Sequence, residues 1–271
     1  MKSAIVAFFF FTTAHLVAAP TIAVPAGIDH TDWQRLLRQY VDDKGLVDYG
    51  AWVQSETDLQ ALDKYLEQYA PQTEVLAEGD EEAAALVNAY NAFTIQWILE
   101  NYPIESIRLL DDSWGGKRHT IGGKQVSLDE IEHSNLRPLL SWKVHALIVC
   151  AARSCPPLYD NAFSKENFAD EIDARYRVWL ARSDLNDFAS NNLDPNKKNV
   201  IRVSKIFDWF DEDFRGEGSL RKILMNYAPE DFQPLLKSEE YKIEYLDYHW
   251  GLNDQSDLGK DYKHRFWKSI F

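Results

Sequence analysis

The sequence predicts a single domain of mixed helix and strand, α/β or α+β, with a central long helix and a small, mostly antiparallel sheet. Three observations point there. Residues 81–101 form a helical stretch more apolar than the helices before it, ending ahead of Pro103 as the steric restriction on a residue preceding proline requires. Residues 115–126 carry two glycine pairs around short runs, the pattern of a β-hairpin. Residues 144–152 are the most continuous apolar run beyond the N-terminal segment, and their length fits a buried strand. With 45% hydrophobic residues, nine Trp, thirteen Tyr and fourteen Phe, the chain has the material for a large core. A chain of this length buries roughly three quarters of its extended surface, so it needs neither disulfide nor metal for stability.

Residues 1–26 have the form of a secretory signal. Lys2 precedes an apolar run over residues 4–11, which resumes at Leu16, Val17 and Ala19. The run is too short to cross the ~30 Å hydrocarbon layer, which takes ~20 apolar residues. Small residues allow cleavage after Ala19, Ala23 or Ala26, with Pro20 arguing for the later two. The expectation is an exported protein, periplasmic or extracellular. No later stretch reaches 18 apolar residues, so the mature chain is expected to insert no transmembrane segment. The 29 basic and 43 acidic residues leave a formal charge of −14, and no basic stripe survives among them. Phosphate backbones would be repelled, which excludes nucleic acid as a partner.

The elements follow in order. Trp33, Leu36, Leu37 and Tyr40 at helical spacing predict a first helix capped by Thr31 or Asp32. Residues 46–53 alternate weakly, as a short strand does. Leu59, Leu62, Tyr65 and Leu66 place a second helix over residues 56–69. Residues 27–79 are thus an N-terminal helical segment packed on a main domain of residues 80–253. The hairpin of residues 115–126 leads to Ser127-Leu128-Asp129-Glu130, a capping box opening a helix that carries Glu132 and His133. After the apolar run come a helix over residues 164–182 and a strand at 200–203. Helices follow at 206–214 and 219–236, the latter broken at Pro229, then a last strand over 241–248 and a charged tail over 254–271.

Six segments occur in an order that resembles the DUF547 family, here as an exported bacterial member. They are Asn88-Ala89-Tyr90-Asn91-Ala92, the stretch from Ser127 to His133, the stretch from His145 to Cys150, Ser154-Cys155-Pro156-Pro157-Leu158, Phe207-Asp208-Trp209-Phe210, and the closing Tyr248-His249-Trp250-Gly251-Leu252-Asn253. The likeness spans residues 80–253. It implies a whole-domain relationship and a role for the motif residues, and it supplies no reaction. The order of a long helix followed by strands bearing His and Cys is similar to papain-like and transglutaminase-like cysteine folds.

Two cysteines in an exported chain invite a disulfide. If the strand ran on through Arg153, the Cα atoms of Cys150 and Cys155 would stand ~16 Å apart, beyond the ~4.4–6.8 Å of a bridge, so a bridge requires a turn over residues 151–154. The second reading makes Cys155 a nucleophile at the end of a buried element. A thiolate needs a base or a positive neighbour, and His133, His145 and Arg153 are the candidates. A strand would hold His145 ~16 Å from its far end, which favours His133, with Glu132, Asp129 or Asn91 to orient it. The third reading assembles zinc from Cys150, Cys155, His145 and His133, although the ligand spacing is loose and lacks a second pair.

Asn88 and Asn91 share one face of the apolar helix, where buried amides must be hydrogen-bonded; pinning a loop is their first role, donation to an oxyanion their second. The glycine pairs match no phosphate loop and serve turns. His30, His119, His249 and His264 read as surface residues. Asp208, Asp211, Glu212 and Asp213 read as a solvated helix face that does not match a calcium loop. Trp179, Phe207, Trp209 and Phe210 read as core. Nothing calls for a cofactor or a resident metal. The leading function is therefore a cysteine-dependent hydrolase or acyl- or thiol-transfer enzyme of a small-molecule or peptide substrate, using Cys155 with a histidine. The alternative is a non-enzymatic envelope binding or scaffold domain with a Cys150–Cys155 bridge; the sequence names no protein partner for either.

Overall fold

A computed structural model describes residues 22–188, 199–238 and 240–263. The core of the expected signal segment, His264 and the end of the charged tail lie outside the described residues. The architecture mixes ten helices with two separate two-stranded ladders among those residues, an α+β arrangement. No described helix is long and apolar enough to cross a membrane.

The chain enters along the edge of the core. Ile22 and Val24 are buried, the Val24 carbonyl accepts from Ala77 N–H, and Ala26 N–H donates to the Val75 carbonyl. Helix α1 (Thr31–Tyr40) buries Trp33, Leu36, Leu37 and Tyr40 as its spacing predicts. Its cap is neither Thr31 nor Asp32: His30 occupies the capping position, and the Asp29 carboxylate accepts from Thr31 N–H and its hydroxyl. The strand expected at residues 46–53 is instead α2 (Tyr49–Val53), because the Asp48 carboxylate accepts from Ala51 N–H and starts a helical turn that buries Tyr49 and Trp52. Helix α3 (Glu56–Glu67) follows, capped by Ser55.

Helix α4 (Asp80–Glu100) is 21 residues long, and every residue from Glu82 to Ile95 is buried. A helix apolar on all sides has to be enclosed, and this one is, with α2, α3 and α7 (Phe168–Ala181) packed on it. The hairpin pairs β1 (His119–Ile121) with β2 (Lys124–Val126) antiparallel. Gly122 and Gly123 turn it with φ of 57° and 76°, left-handed values that a two-residue hairpin turn demands and glycine alone supplies cheaply. His119 is not a surface residue: it is buried and stacks on Phe93 at 4.1 Å, and burial, with the Arg118 charge adding to it, pushes its pKa down to about 4.

The capping box forms as the sequence predicts, Glu130 N–H donating to Ser127 Oγ and Ser127 N–H to the Glu130 carboxylate. It opens α5 (Leu128–Ile131), which widens into a π turn over Glu132–Leu136 before α6 (Arg137–Leu140). Pro138 has no N–H to donate and crowds the preceding turn, a sufficient cause for the wider loop. The Ile22 N–H donates to Asn135 Oδ1, tying the N-terminal arm to that turn.

The strand expected at residues 144–152 does not form. Residues Ser141–Ala146 make a 3₁₀ turn and an irregular buried segment follows, whose one strand-like contact is an isolated bridge between Ala152 and Leu252. The second ladder also departs from expectation, because β3 (Asn199–Val203) and β4 (Tyr241–Tyr245) run parallel. Between them lie α8 (Ile206–Trp209), α9 (Leu220–Tyr227) and α10 (Gln233–Ser238). The helix expected to reach residue 214 ends at Trp209, and the one interrupted at Pro229 is α9 and α10 with a 3₁₀ turn between them.

Candidate active site

Residues 147–156 hang on the face of α4. Asn91 donates to the Leu147 carbonyl at 2.9 Å and accepts from Val149 N–H at 2.9 Å. Asn88, one turn earlier, does the same for Phe163, donating to its carbonyl and accepting from its N–H. Each amide thus replaces a missing strand partner, satisfying buried backbone groups that water cannot reach. Ala151 then takes a left-handed φ of 53°, which reverses the chain between the cysteines. That conformation costs a non-glycine residue on the order of 1–3 kcal/mol. The C-terminal segment holds it in place: Asn253 N–H donates to the Ala151 carbonyl, Arg153 N–H to Gly251, and His249 N–H to Ser154 Oγ. Gly45 closes the far side, where an added Cβ would lie 2.4 Å from Leu158 N.

This reversal brings the sulfurs of Cys150 and Cys155 to 2.7 Å, longer than the ~2.05 Å of a disulfide, and both are free thiols. The Tyr248 hydroxyl stands 3.2 Å from each, and Cys150 N–H donates to Cys155 Sγ at 3.1 Å. Burial works against ionisation of Cys155. The hydrogen bonds from the Cys150 thiol, the Tyr248 hydroxyl and the backbone of Ala152 and Cys150 outweigh it, and its pKa falls below the ordinary thiol value. Cys150 moves the other way, well above that value, because it donates its proton to Cys155 and is itself buried. Cys155 is thus the sulfur of the pair that ionises more readily, with the Cys150 thiol as one of its donors. Burial and the adjacent sulfurs hold the Tyr248 hydroxyl in its neutral, donating form.

The pair opens onto a cavity of about 520 Å³, within the ~300–1,000 Å³ range of small-ligand sites. One wall is aromatic, with Trp209 stacked 5.6 Å from Trp250 and Tyr248 4.7 Å from Trp209. His133 and Glu132 of the π turn line the cavity too, and so does His145. His145 Nε2 is 2.8 Å from Asp213 Oδ2. Burial opposes the ionisation of Asp213, but hydrogen bonds from His145 and Arg137 override it and hold its pKa down at about 2. Arg137 reaches both Asp213 oxygens, at 2.7 and 3.0 Å, and its remaining nitrogen donates to His133 Nδ1 at 3.0 Å. An arginine only donates, so His133 Nδ1 is an acceptor there.

The structure therefore brings Cys150, Cys155, His133, His145 and Glu132 to one cavity. Among the described residues neither sulfur is hydrogen-bonded to a histidine. Glu132 accepts from the Tyr90 hydroxyl at 3.1 Å, Asp129 stands 3.9 Å from His133, and Asn91 is engaged with the loop backbone. Arg153 points away from the sulfurs, donating to the carbonyls of Asp254, Ser256 and Leu258. No group of three or more His, Cys, Asp or Glu among the described residues is arranged to hold a metal ion.

Four contributors escaped the sequence reading: Tyr248, Tyr90, Arg137 and Asp213. Asp213 was assigned to a solvated face, yet its side chain is only 15% exposed. Trp209 and Phe210, assigned to the core, are half-buried on the cavity. The first two lie inside motifs already singled out and could have been found there; nothing near Asp213 or Arg137 marks the pairing across 76 residues.

No curated protein and no solved structure matches the chain. The matched family region runs from just before α4 to the last turn of α7, which takes in both cysteines, His133, His145, Glu132 and Asn91 but not Tyr248 or Asp213. Over those residues, 76–180, the chain matches the family described as "Protein of unknown function, DUF547", which supports placing it in that family.

Proposed function

We propose that this is an exported thiol-transfer enzyme in which Cys155 attacks a disulfide of a small or peptidic substrate and Cys150 resolves the product. The observation that carries the reading is the donor set of Cys155: its sulfur accepts from Cys150 N–H, the Cys150 thiol and the Tyr248 hydroxyl. A thiolate made this way needs no histidine at its side. In the first step the Cys155 thiolate displaces one sulfur of the substrate disulfide, forming a mixed disulfide and releasing a substrate thiolate. In the second, Cys150 loses its proton and attacks Cys155 Sγ, releasing the other substrate thiolate and leaving a Cys150–Cys155 disulfide. The substrate disulfide is the oxidant and gains two electrons; the cysteine pair is oxidised. Export to an oxidising compartment would supply such substrates.

The test is trapping. Incubated with a peptide disulfide, C150S should accumulate a mixed disulfide at Cys155, the unaltered protein should end about two mass units lighter, and C155S should do neither. No adduct at Cys155 in C150S would overturn the reading. Acylation of Cys155 by a thioester with no reaction toward disulfides would replace it with acyl transfer. A chain isolated already bridged and inert in both oxidation states would return it to a scaffold.

A further inference from the structure

The thiol-transfer reading leaves the second step without a base. Cys150 is buried and holds its proton well above the ordinary thiol range. Once Cys155 is consumed in the mixed disulfide, its hydrogen bond and charge no longer contribute to that, but burial still does. An unassisted Cys150 would resolve slowly, since only the thiolate attacks.

His145 is built for the missing role. Asp213 is an ionised carboxylate that can only accept, so His145 Nε2 carries the proton in their 2.8 Å hydrogen bond. In the neutral ring this leaves a lone pair on Nδ1, which bonds to no described residue. The ring is held in place: Phe210 and Phe214 lie against it at 4.3 and 5.2 Å, and Arg137 fixes both oxygens of Asp213. It is 3% exposed yet borders the cavity that Cys150 and Cys155 also line. A carboxylate that sets the tautomer of an imidazole is the recurring support of general bases in nucleophilic enzymes.

Resting on the thiol-transfer reading, we propose that His145 is the proton carrier of the exchange, with Asp213 and Arg137 as positioning residues. Nδ1 takes the Cys150 thiol proton as that sulfur bonds to Cys155, and the imidazolium returns it to the departing substrate thiolate, which leaves as a thiol. The proton gained equals the proton delivered, and His145 ends neutral. The imidazolium is stabilised by Asp213. Arg137 of α6, Glu212 beside Asp213 and Tyr176 of α7 are the charged or titratable groups next to this pair, and His133, Glu132, Asp129, Arg108, Asp112, Tyr90, Tyr248 and the two thiols line the same cavity.

The experiment separates the two steps. Mixed-disulfide formation is timed in C150S with and without H145Q or D213N, and resolution in the same pair of variants carrying both cysteines, each across pH 5–10. H145Q and D213N should leave the first step within about threefold and slow the second by ~10²-fold or more, the usual worth of a general base. In H145Q the pH profile of resolution should follow Cys150 alone. In D213N that profile should change shape. Equal loss in both steps would mark a structural role and overturn the proposal, as would an unaffected second step. ¹⁵N spectra of the unaltered protein give a readout independent of turnover: the neutral His145 ring should carry its proton on Nε2, and a proton on Nδ1 would refute it. Failure of C150S to form any mixed disulfide would instead remove the thiol-transfer reading, and this inference with it.

Discussion

Asn91 grips the backbone on both sides of Ile148, donating to the Leu147 carbonyl and accepting from Val149 N–H, each at 2.9 Å. The buried helix α4 thereby sets the position of Cys150 one residue further on. Replacing Asn91 with alanine would leave two buried backbone groups unpaired, at ~1–3 kcal/mol each. The expected outcome for N91A is a loss of about 2–6 kcal/mol in urea unfolding, together with faster alkylation of Cys150 as the segment loosens. Unfolding unchanged within about 0.5 kcal/mol would show that water substitutes for the amide.

Tyr248 should tune the nucleophile. Its hydroxyl is one of the donors that lower Cys155, so Y248F removes stabilisation from the Cys155 thiolate along with the contact to Cys150. The rate of carbamidomethylation of Cys155 in the unaltered chain should rise with pH around a midpoint below that of an ordinary thiol. In Y248F the midpoint should move upward, with the plateau rate preserved. The same midpoint in both proteins would assign the thiolate to its sulfur and backbone donors.

Acid sensitivity should have a local origin in Asp58. This buried carboxylate accepts from the Tyr40 hydroxyl, Arg35 and Ser55 Oγ; although burial opposes its ionisation, these bonds hold its pKa down at about 2. A depressed carboxylate contributes stability that is complete above the unfolded value of ~3.9 and is lost as pH falls toward the folded one. The unfolding midpoint in urea should therefore decline between about pH 4 and pH 2. D58N should be less stable at pH 7 and show a shallower decline over that window.

The N-terminal arm offers a further test. Ile22 and Val24 are buried, and Ile22 N–H binds Asn135 in the turn that carries Glu132 and His133. A chain starting at Pro20 keeps the arm and is the reference. One starting at Gly27 should lose about 3 kcal/mol or more, since each buried aliphatic side chain contributes ~1.5–3 kcal/mol. Equal thermal midpoints for the two truncations would contradict this. If a leader is removed on export, cleavage after Ala19 is the cut that spares the arm.

The parts of the fold legible in the sequence are those whose cause is local. Gly122-Gly123 specifies a two-residue turn, Ser127 and Glu130 cap each other three residues apart, and the spacing of Trp33, Leu36, Leu37 and Tyr40 writes out a helix face. The strand expected at 46–53 failed for an equally local reason, since Asp48 caps a helical turn. Of the site, the two cysteines and His133, His145 and Glu132 stood out as chemical types. Asp213 did not, because its bond to His145 spans 68 residues and leaves no periodic trace.

By itself the sequence determined that residues 144–152 would be buried, that the asparagines of α4 would need partners, and that two thiols would lie near the end of that run. The tertiary structure decided what those facts amount to. An apolar run fixes burial but not which groups satisfy its backbone, and here side-chain amides and the segment 249–253 do so in place of a neighbouring strand. Freed from strand geometry, the chain reverses at Ala151 and sets one sulfur against the other. The proposed thiolate chemistry depends on that contact and on Tyr248, both of them distances between groups that only the folded chain brings together.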